Sequence, residues 1–499
     1  MPQTIPSALA WWARMRPDQP ALVVGEDRLT FRELHAWSER IAARLIADGI
    51  EPGDRVGICA TNSPTYCALL MGIIRAGGIC NPINFRYTTR EIADLVETTE
   101  PRFVFALPDY EEKVRAAGMD VRQIADITAL REGEAAVVAH DPLPDDPIVI
   151  IATSGSTAKP KGVVFTNRSM TAYAAAWAAE EPAASPGSRI ISLAPLNTSA
   201  GFVQFMHYST LGCTCHMLNS FVPEEALRIL VDERINLFGA VPVFFEAIAQ
   251  CPGFADADLS AIRMATVGGA RVSRALQETY AAKGIVLRQI YGQTEIGGNA
   301  TIMPEHLAMV APEKCGWGGI FMDVKVVRPD GSRCNPGETG EILMRSPGMM
   351  QGYWRNPEET AKAIRDGWLC SGDIGVMDEH GLLTFVDRLK DLIISGGLNI
   401  SAAEVERVVS EFPGIVEVLA IAAPDPKFTE TPMIVYHGPV EVDVVALIAH
   451  CETQLSNYKV PRYVAYSADP LPRVATGKLS KPAVRARYAE AHKTLPRVR

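Results

Sequence analysis

The sequence predicts an α/β protein with a large N-terminal domain, built from parallel sheets covered by helices, and a small α+β domain at the C-terminus. Three observations support this prediction. Helix and strand patterns alternate up to Gly316, short strands joined by turns follow, and a break at 387–391 precedes a compact stretch of about a hundred residues. We predict domains at 1–389 and 390–499, with a β-rich subdomain at about 315–389.

The individual elements follow from the spacing of apolar residues. Residues 31–46 place Leu34, Trp37, Ile41 and Leu45 on one face, which predicts an amphipathic helix. The same reasoning predicts further helices at 65–75, 88–98, 223–233 and 243–250, and strands at 56–59, 103–106, 211–219, 237–241, 324–327 and 340–344.

Composition limits the classes of function. The chain has 499 residues, of which 47% are hydrophobic and 21% charged, as in globular enzymes. A formal net charge of −10 argues against nucleic-acid binding, which needs a basic face. No apolar run reaches the roughly 20 residues of a membrane span, and the N-terminus lacks the pattern of a secretory signal. We therefore expect a cytoplasmic protein.

The ten cysteines are scattered and do not form the framework of a disulfide-rich protein. The run Cys213-Thr214-Cys215-His216 contains residue types that bind metals, but no second cluster completes four ligands. We expect a packed strand with small buried thiols at this position rather than a metal site.

The loop at 153–162 is the first indication of function. It follows the apolar strand pattern at 148–151 and combines glycines, small hydroxyl residues and two lysines. Backbone N–H groups, hydroxyls and lysine side chains together suit the binding of a polyphosphate. The spacing is not that of a Walker A loop, so the loop alone indicates only a phosphorylated ligand.

Further motifs follow along the chain in a fixed order, and in one of them we expect Asp373 to follow a glycine turn at Gly372. They are Val267-Gly268-Gly269-Ala270, Gln289-Ile290-Tyr291-Gly292-Gln293-Thr294-Glu295, Gly337-Glu338-Thr339-Gly340-Glu341, Trp368-Leu369-Cys370-Ser371-Gly372-Asp373, Asp387-Arg388-Leu389-Lys390-Asp391, Ser395-Gly396-Gly397, and Pro472-Arg473-Val474-Ala475-Thr476-Gly477-Lys478. As a set, from about residue 30 to 481, the chain resembles the adenylate-forming superfamily of acyl-CoA synthetases, nonribosomal adenylation domains and firefly luciferase.

The resemblance implies a two-step reaction. A carboxylic acid and ATP, with Mg²⁺, form an acyl-adenylate and pyrophosphate, and a thiol, usually that of CoA, then displaces AMP. It also implies that the small domain is mobile and rotates about a hinge at Lys390 between the two steps. The implied partners are a small-molecule carboxylic acid, ATP and CoA, with no nucleic acid and no membrane span, and a homodimer is left open.

The resemblance assigns roles to residues one motif at a time. Lys478 is the expected catalytic lysine, acting with Thr157 and Glu295, which are also the expected Mg²⁺ ligands. The expected ATP- and AMP-binding residues are Thr153, Ser154, Gly155, Ser156, Thr157, Lys161, Gly268, Gly269, Ala270, Gln289, Tyr291, Gly292, Thr294, Asp373 and Arg388. The expected CoA-binding residues are Ser395, Gly396, Gly397, Phe428 and Tyr458. For Phe428 and Tyr458 the alternative is an ordinary half-buried aromatic residue without a role in binding.

Four positions depart from the usual pattern of this superfamily. Ala158 and Thr429 replace common glycines, and Ala402 stands where proline is frequent. Thr198 stands where many acyl-CoA synthetases carry an aromatic residue or histidine that gates the entry of substrate and thiol. Here the gate would be small and polar.

The expected acid pocket is mainly apolar. Its predicted residues are Thr198, Gly201, Phe202, His207, Val241, Val243, Phe244, Ile296 and Gly297. A lone histidine such as His207 is usually structural or solvated, which is the alternative at that position. Residues 197–200 contain no carboxylate for an amino group, and 196–218 contain no Arg or Lys for a second carboxylate. We therefore expect an aliphatic, alicyclic or aromatic monocarboxylic acid. Two alternatives remain: an adenylating enzyme that loads a carrier protein, and a non-catalytic nucleotide-binding protein.

Overall fold

The structure of this chain, a computed structural model, describes residues 4–138, 140–153, 160–270, 272–396, 398–473 and 479–499. Two compact units are distinguished by their internal contacts. The first comprises Met1–Lys325, Leu343–Cys370 and Gly381–Leu383, and the second Val326–Ile342, Ser371–His380 and Thr384–Arg499.

The helices of the described residues are α1 (Ile5–Met15), α2 (Phe31–Ala47), α3 (Pro64–Arg75), α4 (Thr89–Thr99), α5 (Pro108–Ala116), α6 (Ile124–Thr128), α7 (Asn167–Glu180), α8 (Ser199–Thr210), α9 (Pro223–Asp232), α10 (Pro242–Ala249), α11 (Arg274–Ala281), α12 (Glu305–Ala308), α13 (Pro357–Ala363), α14 (Ala402–Ser410), α15 (Val444–Gln454) and α16 (Lys481–Tyr488).

The strands are β1 (Pro20–Val24), β2 (Asp27–Thr30), β3 (Arg55–Cys59), β4 (Ile79–Pro82), β5 (Phe103–Ala106), β6 (Val121–Gln123), β7 (Pro147–Thr153), β8 (Lys161–Thr166), β9 (Arg189–Ser192), β10 (Thr214–Met217), β11 (Leu237–Ala240), β12 (Met264–Val267), β13 (Leu287–Tyr291), β14 (Thr301–Ile302), β15 (Trp317–Gly318), β16 (Asp323–Val327), β17 (Thr339–Arg345), β18 (Gly352–Tyr353), β19 (Ile364–Arg365), β20 (Trp368–Met377), β21 (Leu383–Arg388), β22 (Ile393–Ser395), β23 (Leu398–Ile400), β24 (Glu417–Asp425), β25 (Thr429–His437) and β26 (Tyr463–Ser467).

The first unit contains two large sheets. One has the strand order β15-β14-β13-β12-β11-β9-β10-β1-β2 and the other β18-β8-β7-β4-β3-β5-β6. Their centres are parallel, as predicted, but both carry antiparallel strands at an edge, such as β14 beside β13 and β8 beside β7. The predicted α/β class is confirmed, with mixed rather than purely parallel sheets.

The helix predicted at 31–46 shows how sequence sets local structure. Thr30 and Glu33 form a capping box that satisfies free backbone N–H groups at the start of α2. The face with Leu34, Trp37 and Leu45 is fully buried against the core. Burying such side chains stabilises the fold by roughly 2 kcal/mol each.

The remaining strands form two smaller sheets. One has the order β16-β17-β20-β19 with β21 beside β20, and this segment is β-rich, as predicted. The other, within the second unit, has the order β23-β22-β25-β24 with β26 beside β25. Helices α14 and α15 pack on this last sheet through Val405, Val408 and Leu447. The second unit thus has an α+β core of its own.

The strand predicted at 211–219 is shorter than expected. It covers only Thr214–Met217, because Gly212 has a φ of +74° and ends the preceding helix α8 with a turn. The thiols of Cys213 and Cys215 are buried and form no disulfide bond, as predicted. Within the described residues, no three His, Cys, Asp or Glu side chains lie close enough together to hold a metal ion.

Candidate functional site

The predicted phosphate loop connects β7 to β8. These strands run antiparallel, and Thr153 pairs with Lys161. The Thr153 hydroxyl lies 3.5 Å from the Lys161 carbonyl oxygen. The paired strands therefore hold the two ends of the loop together. The predicted loop residues Ser154, Gly155, Ser156, Thr157 and Ala158 lie outside the described residues.

The side chain of Lys161 is held by two neighbours from distant parts of the chain. Its ammonium forms an ion pair with Glu359 of α13 and lies 5.0 Å from the ring centroid of Tyr353. The hydrogen bond from Lys161, aided by Lys362, lowers the pKa of the Glu359 carboxyl to about 2. Lys161 is only 15% exposed, so its charge is fixed at one end of the loop.

Glu295 lies on a short 3-10 turn, Thr294–Ile296, that follows β13. Its Oε1 accepts a hydrogen bond of 3.0 Å from the Tyr353 hydroxyl. Burial, and then the nearby Glu295 carboxylate, raise the pKa of Tyr353, so the phenol stays protonated and donates. Tyr353 thus contacts both Glu295 and Lys161, two residues that were assigned to ATP by resemblance.

The donor set at Glu295 fits a magnesium ion. Mg²⁺ in nucleotide sites usually keeps several waters and is held by one or two protein carboxylates together with substrate phosphates. Tyr353 occupies one Glu295 oxygen, and the carboxylate has a second. The other predicted ligand, Thr157, lies outside the described residues.

The predicted adenine wall lies where β12 and β13 end side by side. Val267 of β12 pairs with Gln289 of β13, and Gly268 follows directly. A Cβ atom on Gly268 would lie 2.5 Å from Cγ1 of Ile290, so this position needs glycine for strand packing. Gly269 and Ala270 are exposed beyond the strand end.

Tyr291 and Gln289 alternate with Ile290 and so share one face of β13. Tyr291 is 8% exposed at the strand end, and Gly292 beyond it is exposed. The Gln289 side-chain nitrogen donates to the carbonyl oxygens of Pro312 and, at 3.1 Å, of Lys314. A contact of Gln289 with the amino edge of adenine would therefore use the amide oxygen.

Asp373 and Arg388 both lie in the second unit. Arg388, at the end of β21, has its Nε 3.9 Å from Oδ1 of Asp373, and the Asp373 side chain is 12% exposed. The sequence suggested that Asp373 follows a glycine turn, but Trp368–Met377 is a continuous strand. Gly372 has a φ of +67°, a conformation that glycine adopts freely, which distorts the strand without ending it.

The predicted hinge, Lys390, lies on the short 3-10 turn Leu389–Asp391 with an exposed side chain. The neighbouring Asp391 forms an ion pair of 2.9 Å with Arg485 of α16. Asp387 is 3% exposed and accepts hydrogen bonds from the Ser401 hydroxyl and the Ala403 N–H. Both aspartates of this motif therefore fix the backbone around Lys390 within the second unit.

The predicted CoA residues Ser395, Gly396 and Phe428 lie together. The Gly396 N–H donates to the Phe428 carbonyl oxygen at 2.8 Å, and Ser395 pairs with Thr429. The Phe428 ring lies 4.2 Å from the guanidinium of Arg462. Gly397 lies outside the described residues.

Tyr458, the last predicted CoA residue, lies on the 3-10 turn Asn457–Lys459 and is 37% exposed.

Two of the unusual positions can be interpreted in this unit. Ala402 is the first residue of α14, where proline is common, and Ser401 caps the helix. Thr429 has a φ of +71°, which a β-branched side chain rarely adopts.

The catalytic lysine proposed from the sequence, Lys478, lies outside the described residues.

Four of the predicted pocket residues, Thr198, Gly201, Phe202 and His207, lie on α8 or at its N-cap. The hydroxyl of Thr198 accepts from the Gly201 N–H and donates to the Pro195 carbonyl oxygen at 2.7 Å. The small polar residue at the predicted gate is therefore the N-cap of α8. Gly201 packs directly against the Pro195 carbonyl.

The other predicted pocket residues differ in burial. Phe202 and Ile296 are fully enclosed and do not line open space, because their side chains pack into the core. Val243, by contrast, is 59% exposed on α10. Val241, the N-cap residue of α10, and Phe244 are partly buried, and Phe244 stacks near Phe221. Gly297 packs against the Gly348 carbonyl.

His207 is buried on α8, and its ring stacks on Tyr173 of α7 at 4.4 Å between centroids. Burial lowers the pKa of His207 to about 3, so the imidazole is neutral near pH 7. Its Nε2 has no hydrogen-bond partner among the described residues.

Sequence reasoning missed three residues: Tyr353 and Glu359, which contact Lys161, and Gln204, which is bonded to Ser192 and Gly239. Glu359 lies 198 positions from Lys161, and no local pattern indicates that the two pair. Gln204 could have been found from the helical spacing, since it lies one turn before His207 on α8.

Comparison with known proteins identifies related chains. The family described as "AMP-binding enzyme" matches residues 9–354, and the family described as "AMP-binding enzyme C-terminal domain" matches residues 404–478. A feruloyl-CoA synthase from an Amycolatopsis species is 36% identical over 490 residues, covering 95% of this chain and 97% of the relative. A long-chain-fatty-acid–CoA ligase of Mycobacterium tuberculosis is 33% identical and covers 93% of both chains.

A solved structure is similar over most of the chain. It is the o-succinylbenzoate CoA synthetase of Bacillus subtilis in complex with its acyl-adenylate intermediate. The TM-score is 0.88 at 26% identity, covering 96% of this chain and 97% of that one. None of the helices in the described ranges has the length and hydropathy of a membrane-spanning helix.

Proposed function

The chain belongs to the AMP-binding enzyme family, as an ATP-dependent acyl-CoA synthetase that uses ATP, Mg²⁺ and CoA, and we propose that it activates a largely apolar monocarboxylic acid in two steps. The first step gives an acyl-adenylate and pyrophosphate. The second gives the acyl-CoA and AMP. The observation that carries the proposal is the convergence of Lys161, Tyr353 and Glu295 beside the ends of the phosphate loop.

The proposal assigns a specific role to the ATP-site residues that the structure describes. Lys161 neutralises the pyrophosphate that leaves, Glu295 holds Mg²⁺, and Tyr353 keeps the Glu295 carboxylate in place. A bound magnesium ion would supply charge compensation for the phosphates. Tyr291 and the 268–270 segment take the adenine, and Asp373 accepts hydrogen bonds from the ribose hydroxyls.

Lys478 is proposed to act at the reacting atoms. The acid carboxylate attacks the α-phosphate, a bond forms between carboxylate oxygen and phosphorus, and the bond to pyrophosphate breaks. An ammonium placed between the carboxylate and phosphate oxygens stabilises the charge on both partners. The CoA thiol then attacks the acyl carbon and expels AMP.

The second step is proposed to use the second unit. The cations of Lys427 and Arg462 lie over the Phe428 ring, and this combination of an aromatic ring with positive charge suits the adenine and phosphates of CoA. Ser395 and Gly396 lie next to this ring and would contact the pantetheine chain. Lys390 is the proposed pivot between the two steps.

The nature of the acid is also a proposal. The segment that is predicted to line the acid pocket has no carboxylate at 197–200 and no Arg or Lys at 196–218. The related proteins act, by their names, on feruloyl and long-chain fatty acyl groups, both with large apolar bodies. An aromatic or aliphatic monocarboxylic acid is the substrate class that these observations support.

A direct assay tests the proposal. The protein is incubated with ATP, Mg²⁺ and a panel of aromatic, alicyclic and aliphatic acids, with and without CoA, and pyrophosphate, AMP and acyl-CoA are measured. We expect acid-dependent pyrophosphate and AMP in equal amounts, with acyl-CoA only when CoA is present. Thioester formed only on a carrier protein would move the assignment to a carrier-loading enzyme, and a complete lack of turnover would refute the proposal.

A further inference from the structure

One face of α8 is less buried than the rest of this core helix. Ala200 is exposed and Gln204 is partly buried, whereas 201–203 and 205–207 are buried. Residues four apart on a helix lie on the same face. Ala200 and Gln204 therefore mark the less buried side of α8, and Thr198 is the N-cap residue of the same helix.

Gln204 makes this side of the helix polar. Its Oε1 accepts a hydrogen bond of 3.1 Å from the Ser192 hydroxyl, and its Nε2 donates to the Gly239 carbonyl oxygen at 3.4 Å. Gly239 lies in β11, two residues before Val241, one of the predicted pocket residues. The amide is thus fixed between α8 and the carboxyl ends of β9 and β11.

His207 lies one turn further along α8, about 12 Å from Ser199 along the helix axis. Its ring is held by the stacking contact with Tyr173, and the Tyr173 hydroxyl is bound to the Asn299 backbone at 2.7 Å. Asn299 closely follows the predicted pocket residues 296–297. The imidazole is therefore held in a fixed orientation against Tyr173, close in the chain fold to residues 296–299.

Two side chains along this segment carry unpaired polar atoms although they are buried. His207 is 5% exposed, and its Nε2 has no hydrogen-bond partner among the described residues. Asn197, just before the helix, is 8% exposed, and neither of its amide atoms is bonded within the same residues. Buried polar groups are normally paired, and an unpaired one is destabilising, so a bound ligand or water that bonds these atoms would be favourable.

We propose that the acid activated by this enzyme carries a hydroxyl group at the end remote from its carboxylate, and that Nε2 of His207 forms a hydrogen bond to this group. The inference rests on the proposed function, because it concerns the substrate of the same site. A neutral imidazole nitrogen can donate to a hydroxyl oxygen or accept from a hydroxyl proton. It carries no positive charge that would offset a second carboxylate. Gln204 lies one helical turn before His207 on α8.

The test compares acids that differ only at the remote end. Octanoate is paired with 8-hydroxyoctanoate, and 3-phenylpropanoate with its 3-hydroxyphenyl and 4-hydroxyphenyl analogues. For each acid, kcat/KM is measured from pyrophosphate release with ATP, Mg²⁺ and CoA. We expect at least one hydroxylated acid to exceed its parent by about tenfold or more, because a site built to bond a hydroxyl rejects the analogue that lacks it.

Variants of His207 test whether its imidazole causes this preference. His207→Leu should reduce the preference to about one, and His207→Gln, which retains a hydrogen-bonding group, should restore part of it. His216→Leu is the matched control, since His216 is also a buried histidine with an unpaired Nε2, but lies on β10. It should leave the preference unchanged.

The outcomes separate this inference from the function on which it rests. Equal kcat/KM within every pair, or a preference that survives in His207→Leu, would overturn the role of His207 while leaving the CoA ligase assignment intact. If His207→Leu does not fold, as judged by its thermal transition, the role of His207 is judged from the wild-type preference and from the change of that preference in His207→Gln. No turnover with any acid would count against the proposed function instead.

Discussion

The hydroxyl of Tyr353 donates a hydrogen bond of 3.0 Å to Oε1 of Glu295, and the ring of the same tyrosine lies 5.0 Å from the Lys161 ammonium. One side chain from β18 thus contacts the carboxylate proposed to hold Mg²⁺ and the cation proposed to hold pyrophosphate. Tyr353 acts through these two residues, so we assign it a positioning role.

The variant Tyr353→Phe tests this role, because it keeps the ring and removes only the hydroxyl. A hydrogen bond to a charged group contributes about 1.5–3 kcal/mol, so we expect kcat/KM for ATP to fall about tenfold or more, with a higher Mg²⁺ concentration needed for half-maximal rate. Magnesium titrations of initial rates check this. Tyr466→Phe, which removes a hydroxyl bonded to Gly438, is the control. Unchanged Mg²⁺ dependence in Tyr353→Phe would rule out the positioning role.

The strained backbone at Thr429 leads to a prediction about stability. Its φ of +71° places a β-branched residue in the left-handed region, which costs roughly 1–2 kcal/mol. Thr429→Gly should relieve this strain and, after the loss of chain entropy, stabilise the second unit by about 1 kcal/mol. Calorimetric unfolding measures the effect. Thr429→Ala retains a Cβ atom and should gain less, and a Gly variant no more stable than the Ala variant would disprove the strain.

The buried His207 predicts a dependence of stability on pH. Its pKa is lowered to about 3 in the folded state, so between about pH 6.5 and 3 the unfolded chain binds a proton that the folded chain does not. Stability must therefore fall as the pH decreases below 6.5, by up to roughly 1.4 kcal/mol per pH unit for this group. Unfolding at about pH 7 and pH 5.5 should show a smaller loss for His207→Leu than for wild type. The exposed His380→Leu variant is the control, and equal losses in all three proteins would contradict the burial of a neutral imidazole.

Lys478 is proposed to act in the first step alone. We expect Lys478→Ala to abolish pyrophosphate release from acid and ATP, while CoA attack on a supplied acyl-adenylate is largely retained. The two half-reactions are measured separately by pyrophosphate and acyl-CoA assays, with the exposed Lys493→Ala as control. An equal loss in both half-reactions would argue against a domain rotation between two states.

Much of the fold could be predicted from the sequence because its signals are local. The apolar spacing of α2 and the capping residue Thr30 lie within one stretch of chain, and the helix forms where predicted. The glycine before Asp373 was misleading, since Gly372 distorts a strand instead of ending it. A single positive φ has no sequence signal that separates these two cases.

The contacts at the candidate site were less predictable, because they join residues that are distant in sequence. Lys161 was identified from its loop, but its partner Glu359 is 198 positions away. Gln204 was overlooked since a mainly apolar pocket was expected, whereas its bonds to Ser192 and Gly239 depend on how α8 packs on the sheet. Pairings of this kind follow from tertiary packing and not from local propensity.

The most direct test of the central claim follows the oxygen atoms of the acid. The enzyme is given an acid with both carboxylate oxygens labelled with ¹⁸O, together with ATP, Mg²⁺ and CoA, and the AMP product is analysed by mass spectrometry. Formation of an acyl-adenylate, followed by thiol attack at the acyl carbon, transfers one labelled oxygen to each AMP. We therefore predict AMP with a single ¹⁸O and unlabelled pyrophosphate. Unlabelled AMP, or ADP with label in inorganic phosphate, would contradict the account.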